Sequence, residues 1–348
     1  MSNLKKIIVA TLMFGLVIMA GFAYYVYNNI FVPNTLFENE NAHVYISTGS
    51  NFNDVVEELS PLLKDMESFK IVAAKKGYPS NIKSGHFIIN KGMNNNEIVN
   101  AIRIGNVPIT IKFNNQERIE NLAGNLGRQL EADSLSFLSA MKNETFLSKY
   151  NLTKETALCN FIPNTYEVYW NINPEDFNKK MFEESNRFWN DERLAKAKEV
   201  KLTKEQVISL AAIVQKETAK IDERPRVAGV YMNRIKVGML LQADPTVIYS
   251  KKLLDNNFDQ QIKRVLYKDL ELDSPYNTYK YAGIPPGPIT MPDISSIDAV
   301  LNYEHHNYYY FVADVTNFGY HKFAKTLTQH NRNKNEYVRW ISKQKINR

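Results

Sequence analysis

The chain has 348 residues, of which 44% are hydrophobic and 23% charged, and it carries a net charge of +6. This balance excludes wholesale disorder and leaves room for about two to three domains. No block of basic residues marks a nucleic-acid site, and the single cysteine, Cys159, excludes an internal disulfide. The first element in chain order is Ile7 to Tyr27, almost continuously apolar or aromatic and free of charge. Its length matches the roughly 20 residues that a helix needs to cross a bilayer. Tyr24, Tyr25 and Tyr27 fall where an interfacial aromatic belt forms, with Lys5 and Lys6 on the other side. The positive-inside rule puts residues 1–6 in the cytoplasm and the body of the chain outside it, with 7–27 as a single membrane span. Gly21-Phe22-Ala23 also fits the cleavage site of a signal peptide. The length of the run and its aromatic end favour an uncleaved anchor.

Residues 28–41 are polar and read as a tether. Residues 42–113 read as a small mixed module. Val44 to Ile46 alternates as a strand, Asn53 to Leu63 and Met66 to Lys75 read as helices, and His86 to Asn90 as a strand after the Ser84-Gly85 turn. Asn94 to Ile104 is a helix closed by Gly105, and Val107 to Phe113 is a strand. Short strands flanking a helix pair resemble a LysM-like module, which holds N-acetylated glycans; a generic α+β spacer is the competing reading. Residues 114–200 read as a helical connecting region, with helical stretches from Gln116 to Ala140 and from Asp176 to Val200. Phe182, Phe188 and Trp189 are its expected core. From residue 201 a larger mixed α/β domain is expected, so the fold class is α+β.

Within that domain Thr203 to Lys220 reads as a helix. Thr203 caps it and Gln206, three residues on, completes a capping box. Val207, Leu210 and Val214 share one face, and the next position on that face is Glu217. A carboxylate that continues a core-facing stripe is partly desolvated, which raises its pKa. A carboxylic acid still protonated near neutral pH can donate a proton to a leaving oxygen. The competing reading is a solvated helix-end residue paired with Lys216, Lys220 or Arg224.

A second helix is expected to begin near Glu223, with Pro225 in its first turn, and to stop at Gly238. Leu241 to Tyr249 then combines polar groups suited to sugar hydroxyls with an aromatic ring suited to a sugar face. Ser274 to Tyr279 and the stiff loop Gly283 to Ile289 read either as a groove wall or as a structural connector. No metal is called for: His305-His306 is the only close histidine pair, and adjacent residues do not point at one ion. No phosphate loop is present, and no cofactor is expected. Cys159 reads as a small buried hydrophobe.

These motifs resemble the endolytic murein transglycosylase family, also called YceG-like. The resemblance rests on Ile213 to Thr218, Val230 to Arg234, Leu241 to Tyr249, Tyr276 to Tyr279, Gly283 to Ile289, Phe311 to Asp314 and Gly319 to Phe323, and it runs on to His330-Asn331. Two departures stand out. Cys159 to Tyr166 lacks the acidic-Gly start and the Pro-Asp-Thr-Tyr end usual in the family, and Gln215 stands where Glu is common. The resemblance implies cleavage within peptidoglycan strands, between N-acetylmuramic acid and N-acetylglucosamine, to give a 1,6-anhydro end with no water consumed. Glu217 matches the family's catalytic glutamate. Gln242, Asp244, Thr246, Tyr249, Asn277, Thr278 and Tyr279 are the expected substrate-groove residues. A hydrolase would need a second carboxylate, for which Asp222, Glu223 and Asp244 are candidates, although Asp244 ahead of Pro245 also suits a turn. The implied partners are peptidoglycan strands, the cytoplasmic membrane through residues 7–27, and peptidoglycan synthases. The alternative to an enzyme is a LysM-type wall-binding anchor.

Overall fold

The structure is a computed structural model that describes residues 3–343. It is a mixed α+β protein, mostly helical, with small two-stranded sheets. The chain divides into two compact units: Met1–Ile111 with Gln129–Ala132 and Tyr166–Ile172, and Lys112–Arg128 with Asp133–Thr165 and Asn173–Arg348.

The first unit opens with α1 (Asn3–Phe31), whose apolar side chains pack against nothing over most of its length. The helix is long and apolar enough to cross a membrane. Next come β1 (Asn41–Ile46), α2 (Phe52–Leu59), α3 (Met66–Lys75), β2 (Gly85–Asn90) and α4 (Asn95–Ile104). β1 and β2 pair antiparallel from Asn41 opposite Asn90 to Ile46 opposite Gly85. The order of strands around a helix pair is the one the sequence patterning predicts. Val44 and Ile46 point into the core with Phe69, Phe87, Ile89 and Ile98, while the intervening Tyr45 stays exposed, as a half-buried strand requires. Asn51 and Asn94 each make a full capping box for α2 and α4.

The segment read as a tether is tied down at its start. Asn34 and Thr35 are buried; Asn34 donates to the Asp65 carbonyl and to Asn95, and Asn95 donates to the carbonyl of Asn29 near the end of α1. A short polar run has no periodicity to announce this. It is held because asparagine amides satisfy otherwise unpaired backbone groups.

The second unit holds α5 (Ile119–Leu126), α6 (Ser134–Met141), α7 (Glu144–Lys149), α8 (Pro174–Phe188), α9 (Asp191–Glu199) and α10 (Lys204–Glu217). β3 (Ile109–Phe113) and β4 (Asn164–Val168), most of whose residues belong to the first unit, form the second sheet. Two long expected helices are broken. Gly127 and the Asp133 cap separate α5 from α6, and the Asn190 cap separates α8 from α9. Trp189 is buried in that break, whereas Phe182 and Phe188 are half-buried.

The core of this unit forms around α10. All residues from Val207 to Val214 are buried, so the helix is enclosed on every face rather than along one stripe. It packs against α11 (Arg224–Lys236), α12 (Asp244–Leu254) and α13 (Ile294–Leu301). Gln215 accepts a hydrogen bond from the backbone N–H of Asp293, which has no side-chain cap of its own, and so ties α10 to the start of α13. That is the work of the residue standing where glutamate is common. Cys159 joins the same core, and burial raises its thiol pKa. The unit closes with the antiparallel hairpin β5 (Tyr310–Ala313) and β6 (His321–Ala324), followed by α14 (Leu327–Lys343).

Candidate active site

Glu217 is the last residue of α10. The helix stops there, three residues earlier than the periodicity suggests, because Thr218 turns extended and its hydroxyl accepts from the N–H of Lys220. A short 3-10 turn and α11 follow, with Pro225 in the first turn of α11 as expected. The tight reversal returns Tyr231 beside Glu217, and the Tyr231 hydroxyl donates to Glu217 Oε1 across 2.9 Å.

Glu217 lines a cavity of about 300 Å³ together with Tyr231, Arg234, Gln242, Asp244 and Tyr279. β5 supplies Tyr310 and Phe311, and the first turn of α14 supplies Leu327 and His330. The three bases near Glu217 in sequence do not neutralise it. Lys216 is exposed, Lys220 lies over the Tyr320 ring, and Arg224 donates to Ser295 and Asp293.

Burial pushes the Glu217 carboxyl up to about 7, and the nearby Asp244 pushes the same way. The Tyr231 hydrogen bond and the charges of His321 and Arg234 pull against that rise without cancelling it. The negative end of the α10 dipole adds to the cost of a charge there. The group therefore sits near half-protonation at neutral pH, the condition for handing over a proton and later taking one.

Arg234 is 7% exposed and held at two points: its Nε donates to the Tyr309 carbonyl and its Nη1 to the Leu241 carbonyl. It ties α11 to β5 and fixes the approach to α12. Gln242 follows Leu241 with φ at +50°, a left-handed conformation costly for a residue with a side chain. It is held by its N–H donating to the carbonyl of Thr278. Asp244 begins α12 and accepts from the Tyr279 hydroxyl at 2.6 Å. His330 stacks on Tyr310, and its Nδ1 is buried without a hydrogen-bond partner. Burial, Lys334 and Arg234 lower its pKa, which favours a neutral ring.

Of the expected groove residues, Gln242, Asp244 and Tyr279 share the cavity with Glu217. Thr246, Asn277 and Thr278 do not: they are buried and hold the cavity wall together. Thr246 and Thr278 share a hydrogen bond of 2.8 Å, and Asn277 donates to the carbonyls of Leu270 and Leu272. Tyr249 faces a different cavity, beside Phe258 and Tyr276. The proline loop does not border Glu217 either. Gly287 packs so closely on the Glu155 carbonyl that a Cβ would lie 2.1 Å from it, which marks the loop as a packed connector.

Tyr231, Arg234, Tyr310, Phe311, Leu327 and His330 were not singled out as groove residues. Tyr231, Arg234, Phe311 and His330 lie within the quoted motifs, but nothing in their spacing relates them to Glu217. Of the other acids weighed as a second carboxylate, Asp222 accepts from the Tyr320 hydroxyl, while Glu223 is buried and accepts both the N–H and the ring Nδ1 of His321. Neither lines the cavity.

Residues 44–336 match the YceG-like family. A relative from Bacillus subtilis (strain 168), named endolytic murein transglycosylase, is 27% identical over 315 residues, which cover 85% of this chain and 84% of the relative. A relative of the same name from Streptococcus pneumoniae serotype 2 is 26% identical over 369 aligned residues; the match takes in 97% of this chain but 66% of the relative's length. The crystal structure of a yceG-like protein from Listeria monocytogenes resembles this one with a TM-score of 0.56 and 26% identity, covering 85% of this chain and 99% of that one.

Proposed function

We propose that this chain, which belongs to the YceG-like family, is a membrane-anchored lytic transglycosylase that cuts peptidoglycan strands internally. The observation that carries the reading is the Glu217 carboxyl, held near pKa 7 in a polar cavity with a tyrosine hydroxyl on one of its oxygens. The relatives named endolytic murein transglycosylase supply the substrate class.

In this reading Glu217 protonates the glycosidic oxygen as the C1–O bond breaks. The resulting carboxylate, stabilised by the Tyr231 hydroxyl, takes the proton from the muramyl O6 hydroxyl as that oxygen closes on C1. The proton count balances, no water is consumed, and the product is a 1,6-anhydro end. The transition state resembles an oxocarbenium ion, and the Asp244 carboxylate in the same cavity favours that developing charge. Gln242 and Tyr279 offer hydrogen-bonding groups to sugar hydroxyls. α1 is the anchor, with the chain that follows it outside the cytoplasm. Residues 42–113 act as a LysM-like glycan-holding module, and residues 201–348 carry the chemistry.

A second reading, hydrolysis, is favoured by one observation: Asp244 is a second carboxylate lining the same cavity. Mass analysis of products released from peptidoglycan by the full chain in detergent separates the two. Anhydro-ended fragments are expected, and products heavier by one water would replace the lyase with a hydrolase. Release by Glu217→Gln at the wild-type rate would remove Glu217 from the mechanism. Binding without any release by the wild type would leave a wall-binding anchor.

A further inference from the structure

A second cavity of about 610 Å³ opens in the same unit and has no part in the chemistry above. Aromatic rings form its wall: Tyr249 lies 4.8 Å from Tyr276 and 5.5 Å from Phe258, centre to centre. Its rim carries both signs of charge, with Arg118, Lys142 and Lys154 alongside Glu117, Glu120 and Glu155. Part of that charge is internally matched, since Glu120 receives Lys142 and lies 3.8 Å from Arg118. Arg118 keeps capacity to spare. Its guanidinium sits 4.0 Å above the Phe258 ring, and its Nε, the atom that faces Glu120, is buried without a hydrogen bond. The planar guanidinium lines the cavity and is suited to a carboxylate.

Two elements connect this cavity to the first. α12 presents Asp244 to one and Tyr249 to the other, and the turn after Ser274 presents Tyr279 to one and Tyr276 to the other. The Thr246–Thr278 hydrogen bond joins the two elements between those positions. Five residues of helix advance about 7.5 Å, a span that two or three extended peptide residues cover at roughly 3.3 Å each.

We infer that this cavity binds the short peptides that branch from the glycan strand, with peptide carboxylates at Arg118 and Lys142 and an ammonium at Glu155. The inference rests on the function proposed above. Where the peptides are attached, the glycan backbone itself is uncharged and would offer the ionic rim no counterpart, whereas the peptide, with its carboxylates and amine, matches it and lays its apolar parts on the tyrosines.

The test compares two substrates of the full chain: glycan strands with their peptides, and the same strands stripped of peptides by an amidase, with the lactyl carboxylates so uncovered converted to simple amides. Wild type is expected to show kcat/KM about tenfold higher on the peptide-bearing strands, the worth of one charge-assisted hydrogen bond. Arg118→Gln and the exposed-site Glu155→Gln should bring the ratio toward one while stripped strands are cut at the wild-type rate. Equal wild-type rates on both substrates, or variants that slow both equally as a glycan subsite would, overturn the inference. Binding of a free stem tetrapeptide to Glu217→Gln, followed by calorimetry and lost in Glu217→Gln/Arg118→Gln, decides the matter without turnover. If neither strand is cut, the enzymatic reading fails by itself, and the peptide-binding result still judges the cavity.

Discussion

Tyr231 donates its hydroxyl hydrogen to Glu217 at 2.9 Å; Tyr231 is buried, and Glu217 is half-buried in the cavity wall. The hydrogen bond favours the charged carboxylate, so it opposes the burial that raises the Glu217 pKa. Removing it with Tyr231→Phe should raise that pKa further. Activity that needs a protonated Glu217 falls as pH rises through about 7, so the basic limb of kcat/KM should move to higher pH in the variant. The rate on the plateau should fall by about tenfold or more, because the carboxylate formed in the first step loses its donor. A pH profile with an unmoved basic limb would contradict this role.

Stability should carry the same signature. The folded Glu217 pKa of about 7 lies above the ordinary 4.5, so the folded state holds its proton more tightly than the unfolded chain does. Stability contributed by that proton is fully present below about 4.5 and is lost as pH rises through about 7. The loss amounts to about 3 kcal/mol. Glu217→Gln, which cannot ionise, should therefore be more stable than wild type at pH 8 and close to it at pH 4.5. Denaturant unfolding of the two proteins at both pH values measures the difference.

Glu223 behaves in the opposite way. Burial raises its pKa, but the side-chain and backbone hydrogen bonds from His321, the His321 charge and Thr218 outweigh burial and hold it below the usual range. Its stabilising contribution is present above about 4.5 and is lost as pH falls through the lowered value. Glu223→Gln should cost about 1.5–3 kcal/mol at pH 7, the worth of hydrogen bonds to a charged group. It should also loosen β6, where His321 packs edge-on against Phe311. Thermal unfolding between pH 4 and pH 7 reports it; a penalty that grows toward low pH would be the wrong sign.

Thr246 and Tyr279 separate wall from lining. Thr246→Val leaves the Thr278 hydroxyl buried without its partner and should cost about 1–3 kcal/mol of stability with KM unchanged. Tyr279→Phe removes a cavity hydroxyl and frees Asp244, so KM or kcat should change while stability stays within about 1 kcal/mol of wild type. Calorimetric unfolding and steady-state kinetics on both variants give the comparison.

Local chemistry was legible wherever one residue type does one job at short range. The Thr203–Gln206 box, the Asn94 start and Gly105 stop of α4, Pro225 in the first turn of α11 and the β1 alternation are all written in the local sequence. The long apolar run of α1 was equally plain. The stops were harder to read: α10 ends at Glu217 because Thr218 turns extended and bonds Lys220 and Glu223 just beyond the helix, which apolar periodicity does not register. Groove membership was harder still. Thr246 and Asn277 look like sugar-binding groups by type, yet each spends its hydrogen bonds on the protein itself.

The sequence by itself determined the helix that presents Glu217, the apolar leader and the family, because capping, periodicity and ordered motifs act within a few residues of one another. Only the tertiary structure decided that Tyr231 meets this carboxyl and that Asp244, Tyr279 and His330 line the same cavity as Glu217. Desolvation and hydrogen bonding depend on which atoms lie within a few ångströms, and for those groups the neighbours come from four separate helices, a hairpin and a loop.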